Sequence, residues 1–310
     1  MDRFIGRYTG KEHGPLLLCF GGMHGNEPAG VEALSIIFKM LEAEPTTNPD
    51  FKFKGRIVGL IGHLEALQKR KRFISKDLNR QWKPKIVDKI FDSNGTKLGP
   101  EEQQIKEILQ FVRKEVKEYK PTKLVVLDLH TTSSYGGIFT IATDDSESLN
   151  IALELHAPVI KGMLSGIEGT ALHYFNNKNM GVPTTAVCFE SGQHYEKLSI
   201  SRAIAAITNC MRTIGCVDAK HVENRHDFLL IEHSKNLPKI ANLIGRHAVL
   251  PEDDFKMLLN FQNFQKVDKG EILATDKKGV IMAKEDALIL MPLYQQQGED
   301  GFFLVKKINF

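Results

Sequence analysis

Cysteine is scarce in this chain: four residues, Cys19, Cys188, Cys210 and Cys216, in 310. None forms a C-x-x-C pair, so neither a disulfide framework nor a cysteine-ligated zinc site is expected. Cys19 and Cys188 sit in apolar runs, where a reduced cysteine serves as a small core residue. Charge of one sign is lacking too. Lys plus Arg number 41 and Asp plus Glu 38, a formal net charge of +3, which argues against a dedicated nucleic-acid binder. No apolar run approaches the ~20 residues of a membrane span. The opening Met1-Asp2-Arg3-Phe4-Ile5-Gly6 has no basic-then-apolar signal layout. The expectation is a cytoplasmic protein with no nucleic-acid or membrane partner. Homo-oligomerisation is left open.

What is present is a globular composition, 42% hydrophobic and 25% charged, over a length that allows two domains. Leu16 to Phe20, Arg56 to Gly62, Leu124 to Leu129 and Thr185 to Phe189 are short apolar runs that read as buried strands. Pro28 to Leu41, residues 100–119 and Glu196 to Ile214 have helical spacing of apolar residues, and Pro100 suits a first helical turn. Strands alternating with helices predict an α/β fold with a largely parallel sheet, whose ligands bind beyond the carboxyl ends of the strands. Near residue 240 the pattern changes to short segments separated by turn signals at Asp268-Lys269-Gly270, Lys277-Lys278-Gly279 and Gly298-Glu299-Asp300-Gly301. Strands are expected at Ile272–Ala274, Val280–Ala283, Ala287–Met291 and Phe302–Lys306. The division predicted is a catalytic domain over 1–238, with 218–238 as a bridging segment, and a small all-β domain over 239–310.

Three polar motifs stand at the strand ends. In Gly21-Gly22-Met23-His24-Gly25-Asn26-Glu27, an imidazole and a carboxylate three residues apart on a glycine-rich loop can face one point. Catalytic zinc commonly takes three nitrogen or oxygen ligands plus water, so a third ligand from another strand end is expected, and His130 is the best placed. On its own, H-x-x-E more often reads as a loop histidine and a helix-start acid; the glycine setting and a histidine at another strand end favour the metal reading. In Arg72-Phe73-Ile74-Ser75-Lys76-Asp77-Leu78-Asn79-Arg80, Arg72 can polarise a carbonyl, Asn79 and Arg80 can hold a carboxylate, and Asp77 can fix the tautomer of a metal-bound histidine. A solvated basic loop is the alternative for this stretch. Glu190 ends the fourth apolar strand, where a carboxylate is costly to bury without a role. It can serve as the base for a metal-activated water. His173 is a weaker candidate for the pocket.

Together these motifs resemble the succinylglutamate desuccinylase/aspartoacylase family of the zinc carboxypeptidase-like group, over about residues 14–195 and more loosely over the C-terminal β region. The resemblance implies one zinc per chain on His24, Glu27 and His130. It implies Glu190 as base and proton donor, Arg72 at the substrate carbonyl, Asn79 and Arg80 on a substrate carboxylate, and Asp77 behind His24. Two positions depart from aspartoacylases. Met180 stands where an arginine about ten residues before the catalytic glutamate contacts the acyl carboxylate, with Lys178 the nearest cation. No tyrosine stands near the end of the β region, where Tyr294 lies upstream. The expected activity is zinc-dependent hydrolysis of the amide bond of a small N-acyl amino acid. A peptide-cutting zinc carboxypeptidase and a non-catalytic metal-binding or regulatory protein are the alternatives.

Overall fold

The two-residue period of a strand sorts the core into two layers. In the computed structural model, which describes residues 2–92, 97–221 and 225–308, Leu16, Leu18 and Phe20 pack into one apolar cluster and Leu17 and Cys19 into another. The first cluster is closed by Trp82 and the helices Pro84–Asp92 and Pro100–Tyr119. The second is closed by the helices Ala29–Thr47 and Lys197–Thr213.

The strands are β1 (Phe4–Thr9), β2 (Glu12–Gly21), β3 (Lys54–Ile61), β4 (Leu124–Thr132), β5 (Phe139–Ala142), β6 (Val159–Lys161), β7 (Thr184–Gln193), β8 (Ile240–Ala248), β9 (Lys256–Met257), β10 (Lys266–Val267), β11 (Ile272–Asp276), β12 (Gly279–Met282), β13 (Ala287–Leu290) and β14 (Asp300–Lys307). One sheet runs β1-β3-β2-β4-β7-β5-β6-β8-β14-β13-β10, and β12-β11-β9 form a second. The centre, β3-β2-β4-β7, is parallel, as expected for strands buried on both faces. Antiparallel pairs enter at β1-β3 and β5-β7.

The segments after residue 239 extend this sheet. β8 pairs in parallel with β6, Val159 opposite Ile240, and β14, β13 and β10 follow antiparallel. The expected boundary at 238/239 therefore does not interrupt the hydrogen-bonded sheet. The second sheet closes its own apolar cluster, which includes Met257, Leu273, Ile289 and Phe302. Residues 222–224 of the bridging segment lie outside the described residues; beside them are a short 3-10 turn, Ala219–His221, and the helix Arg225–Ser234. Among the described residues, no helix is long and apolar enough to cross a membrane.

Register brings the polar motifs onto one face. His130 on β4 lies opposite Glu190 on β7, and Asp128 lies opposite Cys188. β5 completes both rows, Phe139 beside Glu190 and Ile141 beside Cys188. All belong to the face covered by the first apolar cluster, at the carboxyl ends of the parallel strands.

Candidate functional site

The loop after β2 threads between backbones. A Cβ on Gly25 would stand 2.0 Å from the carbonyl carbon of Ala66, and one on Gly21 2.6 Å from the backbone nitrogen of Val31. Only glycine lets the loop pass the helix Leu64–Lys69 and turn into the helix Ala29–Thr47. The turn closes as the Glu27 N–H donates to the His24 carbonyl at 3.2 Å. His24 and Glu27 are both buried.

Glu27 stands between two imidazoles. Its Oε1 is 2.8 Å from His24 Nδ1 and its Oε2 2.9 Å from His130 Nδ1. The far nitrogens face carboxylates: His24 Nε2 is 3.1 Å from Asp77 Oδ1, and His130 Nε2 is 3.0 Å from Asp128 Oδ2. His24, Glu27 and His130 thus offer one donor atom each, all within 4.8 Å of one another, a group that can hold a metal ion. Burial by itself would raise the Glu27 carboxyl, but the two imidazoles outweigh it and hold it well below the usual range. Burial would lower His130, yet Asp128 and Glu27 raise it well above the usual imidazole value.

Glu190 lies across the strand pair from His130, buried, with Oε2 unpartnered. Burial pushes its carboxyl up to about 8, against the His130 charge and assisted by Glu27. Arg72 Nε and Nη2 donate to Asp77 Oδ2 at 3.0 and 2.9 Å, and Nη1 stands 3.6 Å from Glu27 Oε1. Asp77 is held well below its ordinary range, because Arg72 and His24 outweigh the cost of burial. The same residue begins the 3-10 turn Leu78–Arg80, accepting from the Asn79 N–H at 2.8 Å. Asn79 Oδ1 accepts from the Ala171 N–H at 2.8 Å, and Arg80 Nη2 donates to Asp300 Oδ2 at 2.7 Å. His24, Arg72, Asn79, Arg80, His130, Glu190 and Asp300 are among the residues lining a cleft of about 800 Å³, counted with its open mouth.

Two expected pocket residues lie elsewhere. His173 is exposed: Nδ1 accepts from Thr170 Oγ1 at 2.7 Å and Nε2 donates to the Leu164 carbonyl at 3.1 Å, so it caps its own short helix. Lys178 is exposed on the helix Asn177–Met180, away from the cleft lining. Met180 packs against the first apolar cluster. Tyr294 donates its hydroxyl to the Leu258 carbonyl and accepts there from the Phe261 N–H, both at 2.8 Å, facing the second sheet.

Other residues take part without having been singled out. Asp128 stands two positions before His130 on one strand, so the period of two was a signal for it. Gln295 and Gln297 belong to a C-terminal strap beside the cleft, which Gln295 lines. Gln295 Oε1 accepts from Asn26 Nδ2 at 2.6 Å and from His194 Nε2 at 3.0 Å. His194 Nδ1 accepts from Thr131 Oγ1 at 2.7 Å, and burial lowers the basicity of this imidazole. Asp300 reaches Arg80 across 220 residues of chain, a relation with no local signal.

The comparisons with known proteins fit this arrangement. The family model for the succinylglutamate desuccinylase/aspartoacylase catalytic domain matches residues 13–214. A succinylglutamate desuccinylase of Pseudomonas paraeruginosa is 33% identical over 70 residues, which is 23% of this chain and only a fifth (20%) of that protein's length. The crystal structure of succinylglutamate desuccinylase from Vibrio cholerae superposes with a TM-score of 0.62 at 18% identity, covering 96% of this chain and 82% of that one. Murine aminoacylase 3 does so at 0.60 and 16% identity, covering 96% of each. At those identities the two structures speak for the fold. With the family match over most of the region that carries the motifs, the chain belongs to the succinylglutamate desuccinylase/aspartoacylase family.

Proposed function

We propose that the protein is a zinc-dependent amidohydrolase that cleaves the amide bond of an N-acyl amino acid or a related small carboxylate-bearing amide. One observation carries this reading: His24 and His130 each have one nitrogen beside an aspartate and turn the other toward Glu27, with the Glu190 carboxyl, its Oε2 unpartnered, across the strand pair. Imidazoles oriented by carboxylates beside a third acidic donor suit zinc, and His24, Glu27 and His130 would hold it, one ion per chain. Zinc bound there supplies Lewis acidity, polarising a carbonyl and acidifying water.

The protein's own groups supply the rest. Glu190 takes the proton of the attacking water and passes it to the leaving amine nitrogen. Arg72, fixed by its two bonds to Asp77, faces the oxygen on which negative charge develops. Asn79 and Arg80 bind the substrate carboxylate and so orient the amide. Gln295 and Gln297 join the catalytic loops to the C-terminal strap, which favours small substrates over peptides. Zinc-loaded protein should hydrolyse members of an N-acetyl, N-succinyl and N-formyl amino-acid panel, followed by amine release. Cleavage of short peptides alone would support the carboxypeptidase reading instead. One equivalent of zinc with no hydrolysis of any amide would support a binding or regulatory role.

A further inference from the structure

The cleft is divided chemically. Its floor begins at His130 and Glu190 and continues one row deeper with Cys188 and Ile141, which face each other across β7 and β5. Met163, Ile167, Leu172 and Phe303 line the same cleft. All six are buried apolar side chains in the protein alone. Among the described lining residues, none at this end is Lys or Arg.

Arg72 and Arg80 are the two Lys or Arg side chains among the described lining residues, and both have internal partners. Arg72 is committed to Asp77. Arg80 gives Nη1 to the Asn79 carbonyl at 2.9 Å and Nη2 to Asp300 at 2.7 Å, which leaves Nε buried and without a partner. Asp300 is shared with Arg246 Nε at 2.5 Å, and Glu299 adds a further carboxylate 4.0 Å from Arg80 Nε. The lining also holds Asp128 and Glu190, so acids outnumber guanidinium groups. Arg80, already shared with Asp300 and Glu299, is left to balance one substrate carboxylate, and a second carboxylate would be buried against apolar walls with no further Lys or Arg among the described lining residues.

The apolar wall and the carboxylate clamp are contiguous. The Trp82 N–H, two residues beyond Arg80, donates to the Gly169 carbonyl at 3.0 Å, and Arg246 Nη1 donates to the Gly166 carbonyl at 2.9 Å. The segment that carries Met163 and Ile167 is therefore pinned beside Arg80, so the group it contacts belongs to the half of the substrate whose carboxylate Arg80 binds.

We infer that the preferred substrate is an N-acyl amino acid with one carboxylate and an uncharged, apolar side chain, which fills the Ile141, Met163, Ile167, Leu172, Cys188 and Phe303 subsite. The inference rests on the deacylase reading above. It excludes dicarboxylic amino acids as preferred substrates.

The test compares N-acetyl-leucine and N-acetyl-phenylalanine with N-acetyl-aspartate and N-acetyl-glutamate on the zinc-loaded protein. kcat/KM should favour the apolar pair by at least about tenfold. Calorimetric binding of the same four compounds to Glu190→Gln should show the same order without turnover. Ile167→Arg, a substitution at the cleft wall, should move the preference at least about tenfold toward the acidic pair. Met163→Lys serves if that variant does not fold. Equal or better binding and turnover of the acidic pair would overturn the apolar subsite and leave the deacylase reading standing. A preference that follows acyl-chain length in N-octanoyl-glycine rather than the amino-acid side chain would overturn the assignment to this half of the substrate. No binding or turnover of any N-acyl amino acid would overturn the deacylase reading, and this inference with it.

Discussion

The side-chain carbonyl of Gln297 accepts a hydrogen bond from the backbone N–H of Arg72 at 3.1 Å, across 225 residues of chain. A strap from the far end of the sequence thereby holds the loop that carries Arg72, the arginine proposed to face the oxyanion. Gln297→Ala removes one neutral hydrogen bond, worth ~0.5–1.5 kcal/mol. kcat/KM should fall by about 2- to 12-fold with zinc stoichiometry unchanged. Turnover equal to that of the parent protein would show that the strap does not position Arg72.

Glu190→Gln tests the base. The amide matches the carboxylate in size but cannot accept the proton, so kcat should fall by about 10²–10⁴. Zinc content, measured by atomic absorption, should stay at one equivalent, because Glu190 is not among the three clustered donors. Full activity in this variant would remove Glu190 from the mechanism.

Asp128 stands 3.0 Å from the outer nitrogen of His130, and Asp77 3.1 Å from that of His24. Asp128→Asn should weaken zinc binding by about 10- to 100-fold, the usual effect of losing such a partner. His130→Ala should lower affinity further, since it removes a donor outright. Competition with a chromophoric chelator reads both. An affinity unchanged in Asp128→Asn would mean that His130 is oriented by its strand alone.

Glu101 anchors the same region from behind. It is buried and accepts from the Ile74 and Ser75 N–H groups, both at 2.9 Å, with His63 Nε2 at 3.1 Å. Burial would raise this carboxyl, but His63 and those N–H groups outweigh it and bring it down to about 2. A carboxyl depressed by folding stabilises the folded state above its ordinary value of 4.5, and that contribution fades as pH falls toward 2. Glu101→Gln should therefore be less stable than the parent by about 1–3 kcal/mol at pH 7, and the gap should narrow at pH 3. Urea unfolding of both proteins at the two pH values measures it; a gap that widens in acid would reverse the assignment.

The expected strands and helices of the parallel centre recur, some of them with longer ends. Leu16 to Phe20 became Glu12–Gly21, and the helix ending at Leu41 runs on to Thr47 through Pro45 in its last turns. Apolar periodicity marks the buried middle of an element and fades where the ends meet solvent. β5, β6 and β8 escaped notice because two are three or four residues long and the third alternates buried and half-exposed residues after its start. The comparison with aspartoacylases makes Lys178 the cation nearest the Met180 position, and His173 is a weak pocket candidate, whereas both residues are exposed and absent from the described cleft lining.

The sequence by itself determined the donor set. His24 and Glu27 share one glycine-bounded turn, His130 and Glu190 each end an apolar run, and Asp77 to Arg80 form one short turn, so their spacing makes them candidates for one site and their combination carries the family resemblance. Only the tertiary structure decided how that chemistry is surrounded. Asp300 neutralises Arg80, Gln297 ties down Arg72, and β8 carries the last segments onto the edge of the same sheet. These contacts join residues that are 81 to 225 positions apart. They exist because strand pairing brings distant backbone together, and no local pattern of residues encodes which distant partner a side chain will meet.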